Sequence, residues 1–194
     1  MKYKKISFLA FFLLTNCFHS DNDIYTPKPR GFFRIDLPEK NYRIFDTILP
    51  FKFEYPEYSD IYFRTDKKDV NGYWFDLYFQ IFNGSVHFSY KKLSNDLTAY
   101  TEDTRNFVFQ HIAKADDICF KLIDEPEKRV FAMLYYIEGE QAASPLQFYV
   151  TDSINHFIRG ALYFEHIPNN DSISPIIDFV NKDILHFIET VEWK

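Results

Sequence analysis

Polar and apolar residues alternate most regularly on either side of Asn83-Gly84. An Asn-Gly pair favours a two-residue type I′ turn, because both positions need positive φ. Counting outward sets Ile81 opposite Val86, Phe79 opposite Phe88 and Leu77 opposite Tyr90 on one face. The other face pairs Gln80 with His87 and Tyr78 with Ser89. A period of two this regular predicts a hairpin with one buried face and a register fixed by the turn. Shorter strand-like pieces precede it at 31–37, 42–46 and 51–55, separated by proline or charge, and 64–71 reads as a charged loop.

Beyond the hairpin the period lengthens. Leu97, Tyr100, Thr104, Phe107, Val108, His111, Ala115 and Ile118 fall three and four apart, which predicts a helix capped by Asn95 or Asp96. Three strand-like runs follow at 130–137, 146–151 and 156–164, with Asp152-Ser153-Ile154-Asn155 as the turn between the last two. A closing helix starts at about Pro175, capped by Ser174 with proline in its first turn. Its apolar stripe is Ile176, Ile177, Val180, Ile184, Phe187, Ile188 and Val191, while Asp178, Asn181, Lys182, Asp183 and Glu189 are expected to face water.

This order predicts an α+β fold, a mostly antiparallel β-sheet with two main helices packed on it. Repeated strand-helix-strand units, the mark of a doubly wound parallel sheet, are missing from the pattern. By element order alone, the layout resembles the PsbP/Mog1-like α/β/α sandwich.

The first residues follow another logic. Three lysines lie among the first five residues, and the apolar run Ile6–Leu14 is too short for a bilayer, which takes about 20 residues. A basic head and a short apolar run make a secretory signal peptide. Leu13-Leu14-Thr15-Asn16-Cys17 resembles the lipobox of bacterial lipoproteins, with Asn16 standing where a small residue is usual. The expected organisation is a signal peptide over 1–16, a lipidated tether over 17–30 and a single α+β domain over 31–194. Acyl chains on Cys17 would anchor the chain, each buried methylene contributing about 0.8 kcal/mol. Phe18 rather than Asp follows the cysteine, which leans towards the outer membrane; which face the domain occupies stays open.

Charge narrows the partners. Without the signal segment, 19 basic residues face 28 acidic ones, a poor composition for nucleic acid, whose binding rests on phosphate neutralisation. Only Cys17 and Cys119 exist, so no disulfide framework is expected, and Cys119 between Ile118 and Phe120 reads as a small buried hydrophobe. The aromatic load, 23 Phe and 14 Tyr, is expected to fill the core; a stacking surface for sugars is the alternative.

Candidate chemistry is sparse. None of the six histidines has a partner at metal-ligand spacing, and His111 on its helix stripe reads as a hydrogen-bonded core residue. Nucleophile elbows, phosphate loops and dinucleotide fingerprints do not occur. Thr151-Asp152-Ser153 reads as turn chemistry, and Asp116-Asp117 and Glu138-Gly139-Glu140 read as solvated acids. No catalytic residue, metal, cofactor or small-molecule substrate is therefore expected. Two features stand out. Arg159 interrupts an apolar strand on the face of Phe157, Ala161 and Tyr163, beside Gly160, as an edge arginine paired with a carboxylate or as a partner-docking patch with Tyr163. Lys28, Arg30 and Arg34 form a basic cluster by the tether, suited to an acidic partner or to plain solvation.

The stretches "YTPKPRGFFRIDLPEKNYRIFD", "FKFEYPEY", "FNGSVHFSYK", "TEDTRNFVFQHIAKAD", "TDSINHFIRGALYF" and "ETVEWK" together resemble the GldD gliding-motility lipoproteins of Bacteroidota. The resemblance runs from about Tyr25 to Lys194. It implies a cell-envelope lipoprotein, palmitate-bearing at Cys17, required for surface gliding in a system linked to type IX secretion. It also implies partners among other gliding-machinery envelope proteins and no known catalytic activity. A glycan-binding module using Tyr, Phe or Trp193, and an envelope hydrolase, are the competing readings.

Overall fold

The computed structural model describes residues 31, 34–64 and 72–194. Cys17, Lys28 and Arg30, with the signal peptide and the whole tether over 17–30, lie outside the described residues, as does 65–71 of the charged loop. The chain divides into two units, Met1–Gly31 and Phe32–Lys194, and the second holds every element below.

Among the described residues ten strands and two helices follow in order: β1 (Tyr42–Phe45), β2 (Phe51–Pro56), β3 (Asp60–Phe63), β4 (Gly72–Phe79), β5 (Gly84–Lys92), α1 (Leu97–Phe109), β6 (Asp117–Glu125), β7 (Val130–Glu138), β8 (Leu146–Thr151), β9 (His156–Phe164), α2 (Asn170–Thr190) and β10 (Glu192–Trp193). Seven strands make one sheet in the order β3-β4-β5-β9-β8-β7-β6, and β1-β2-β10 make a second. Every pairing is antiparallel. The expected α+β class, an antiparallel sheet carrying two main helices, is what the chain adopts.

Strand alternation sorts the large sheet into two faces. The inner face presents Phe75, Leu77, Val86, Phe88, Leu134, Phe148 and Ile158 to Phe179, Val180, Ile184, Phe187 and Ile188 of α2 and to Phe51 and Phe53 of β2. Phe75 and Phe88, directly opposite in the ladder, stack at 4.7 Å. Each such ring contributes about 1.5–3 kcal/mol on burial; among the described residues ten phenylalanines and Tyr90 are buried. Gly160 on β9 leaves room here: a Cβ on it would come 2.2 Å from the Phe148 ring. The outer face is covered partly by α1, where Val108 packs on Ile137 and Ala142.

Several expectations are corrected. The hairpin does not turn at Asn83-Gly84 alone: Gln80–Phe82 form a 3₁₀ turn, Asn83 is left-handed at φ 48°, and Phe79 pairs with Gly84 and Leu77 with Val86. The faces are as read, but the register moves four residues, because Phe82 turns into the core beside Phe179 and leaves Ile81 58% exposed. Helix α1 stops at Phe109, and Ile118 belongs to a strand, β6, that the helical spacing concealed. That strand is a sheet edge, so Cys119 is exposed rather than buried. Helix α2 begins at Asn170, and Pro175 lies inside it. Asp183 does not face water; it is 2% exposed. No strand forms among the described residues of 31–37.

Candidate functional site

On the outer face, α1 covers β8 and β9 and leaves a groove of about 410 Å³ along β4, β5 and β9. Its floor is set by cross-strand pairing: Asp76 opposite His87, Trp74 opposite Ser89, His87 opposite Ala161 and Ser89 opposite Arg159. Tyr100, Asp103, Thr104 and Phe107 of α1 form one wall, and Arg64 at the end of β3 closes a corner. The alternation of β9 brings Phe157, Arg159, Ala161 and Tyr163 to this one surface, as the sequence predicts.

Three cations line it: Arg64 and Arg159, and Lys91, whose Nζ lies 4.5 Å over the Trp74 ring. Arg64 Nε donates to Asp76 Oδ2 at 2.7 Å, and His87 Nδ1 lies 2.7 Å from Asp76 Oδ1 and 2.9 Å from Arg64 Nη2. One ring nitrogen cannot serve both neighbours at once. With its proton, Nδ1 donates to Asp76; without it, Nδ1 accepts from Arg64. Burial alone would raise the Asp76 carboxyl, but the hydrogen bonds from His87 and Arg64 outweigh it and hold the group below its ordinary value.

Arg159 lies on an interior strand and pairs with an amide, which corrects the reading of an edge arginine bound to a carboxylate. Its Nη2 donates to Gln147 Oε1 at 2.8 Å, and the guanidinium carbon sits 4.5 Å over the Phe107 ring. Gln147, fully buried, is fixed in turn by His111, its Nε2 lying 3.0 Å from the His111 Nε2. His111 is thus hydrogen-bonded as expected, but it lies past the end of α1 and is half-buried rather than in the core. Burial, then the Arg159 and Lys114 charges, lower its pKa. Tyr163 lies beside the His87 ring at 5.4 Å. Arg34 is elsewhere in character, a solvated ion pair with Asp36 at 3.0 Å.

Reading the sequence missed Arg64, Asp76 and Gln147. The hairpin register was the signal: a four-residue loop closed by Asn83 would have set Asp76, not Gln80, against His87. The other expected sites resolve into structure. Asp152 Oδ1 accepts the backbone N–H groups of Ile154, Asn155 and His156 at 2.7–3.0 Å, which is turn chemistry. Trp193 stacks on His156 at 5.0 Å and donates its Nε1–H to the Arg129 carbonyl. Among the described residues no cluster of three or more His, Cys, Asp or Glu could hold a metal ion.

Residues 22–193 match the family described as gliding motility lipoprotein GldD. The chain belongs to that family. Membership of this lipoprotein family implies membrane anchoring and association with the cell envelope. No described helix of this GldD-family chain is long and apolar enough to cross a membrane. No curated protein matches it. Among solved structures it is similar to the solution structure of cyanobacterial PsbP (CyanoP) from Synechocystis sp. PCC 6803, at 15% identity over 78% of this chain and 95% of that one, with a TM-score of 0.42.

Proposed function

We propose that this chain is a non-enzymatic assembly or stabilising component of the gliding machinery, working with the type IX secretion-linked apparatus of a Bacteroidota envelope. The observation that carries the reading is the family match over residues 22–193. The lipobox-like Leu13–Cys17 supports an acylated, palmitate-bearing Cys17 as the anchor, and Phe18 after it supports the outer membrane. Its partners are other envelope proteins of the gliding machinery. The groove's titratable groups support a role without turnover. Asp76 is held ionised by two neighbours rather than poised near neutrality, where a general acid or base works best. His111, which does not line the groove, is used in holding Gln147.

The test is affinity purification of the lipidated protein from its own envelope beside Cys17→Ala, followed by mass spectrometry. Gliding or secretion components recovered with the native chain and lost from the variant are the expected result. A native chain that brings down no envelope protein contradicts the reading. One observation favours a second reading, an envelope glycan-binding module: the aromatic and charged groove on the outer sheet face.

A further inference from the structure

Arg159 is a cation that its neighbours solvate incompletely. Arg64, across the groove, is neutralised by Asp76 at 2.7 Å. Arg159 has an amide and a ring face for company, and among the described residues no carboxylate lies within ion-pair distance of it. Its Nε is buried without a hydrogen-bond partner. A buried donor left without a partner is destabilising, and more so on a charged group, so such a group in a groove wall calls for an explanation. Its geometry is already set: Gln147 and Phe107 hold the guanidinium from two sides, so little ordering is left for a ligand to bring about.

We propose that the groove binds a carboxylated sugar, of the uronic acid or lactyl-ether type, with its carboxylate paired to the Arg159 guanidinium. Three observations select a sugar over an acidic peptide. The floor strands β5 and β9 are interior, so their backbone groups are taken by the ladders and cannot pair with a peptide backbone. The lining combines rings, Tyr163 and a Trp74 that carries Lys91 Nζ 4.5 Å over it, with short groups that pair with hydroxyls, Ser89 and Asp103. The volume of about 410 Å³ lies at the small end of ligand pockets, about 300–1,000 Å³, and so takes a single or terminal unit. The chain's net charge of −6 gives no long-range pull on an anion, so recognition rests on the local cations, Arg159 with Lys91 beside it in the lining. The inference deepens the glycan-binding reading and is independent of the assembly role.

The test uses the full lipidated chain in detergent micelles, titrated by saturation-transfer NMR with glucuronate and N-acetylmuramate. Glucuronate methyl ester, glucose and N-acetylglutamate are the comparison probes. Both acid sugars are expected to saturate, with the ester and glucose at least about tenfold weaker, as loss of one charged hydrogen bond requires. Arg159→Gln is expected to weaken acid-sugar binding by a similar factor. Should that variant fail to fold, the acid-against-ester comparison on the native chain still decides. Equal binding of acid and ester, equal binding of N-acetylglutamate, or no saturation up to about 10 mM overturns the proposal. Failure here leaves the partner recovery above untouched, so the two readings fall separately.

Discussion

Asp183 shows how much one buried side chain can organise. Its carboxylate receives Lys40 Nζ at 2.7 Å, Tyr42 OH at 2.9 Å and Tyr58 OH at 2.5 Å, which ties the entry of the domain to α2. Burial lowers the Lys40 pKa more than Asp183 restores it, and burial pushes both tyrosines up, with Asp183 adding to that shift. Truncation would leave the lysine without its counter-ion in a site shielded from water. Asp183→Ala should therefore cost about 3–5 kcal/mol, read as a lower urea midpoint. Removing both charges, Lys40→Met with Asp183→Ala, should recover part of that loss; a single variant that unfolds like the native chain contradicts the network. None of this is legible from the polar stripe of α2, because the three donors lie more than 120 residues away in sequence.

At the scale of elements, β7, β8, β9 and the stripe of α2 were legible because buried strands and a packed helix impose their periods on the sequence. Strand β6 was not. As a sheet edge it buries little, so its residues show no burial alternation, and Ile118 happens to continue the spacing of α1. The groove was half legible: the period of β9 aligned Arg159 with Tyr163, but the partners of Arg159 come from β8 and α1, and pairing across strands is set by register. Because β6 is an edge, Phe120 and Leu122 remain 72% and 62% exposed, flanking Lys121, a charge of the kind that discourages edge-to-edge pairing. Phe120→Lys and Leu122→Lys should each change stability by no more than about 0.5 kcal/mol. A fall in melting temperature comparable to that of a core truncation would show that β6 is covered.

Across the whole molecule, acid should unfold the domain in two stages. Burial, above all, holds His111 and His156 below the ordinary histidine value, with nearby cations adding to it and Asp152 partly opposing it at His156. Each folds best neutral, so its contribution is complete above about pH 6.5 and is lost as pH falls through the lower folded value. Asp76 and Asp152 would be raised by burial alone, but the hydrogen bonds of His87 and Arg64, and of three backbone N–H groups, outweigh it. Their contribution is present above about pH 3.9 and is lost below it. Melting temperature should fall between about pH 7 and 5 and again below about pH 4, with His111→Gln flattening the first step; a flat curve down to about pH 5 contradicts this. Anchoring at Cys17 is tested by the gliding speed of cells whose sole copy is Cys17→Ser, at matched protein levels. Normal amounts of folded protein and loss of gliding are expected. Full-speed gliding by a chain shown to carry no acyl group would contradict it.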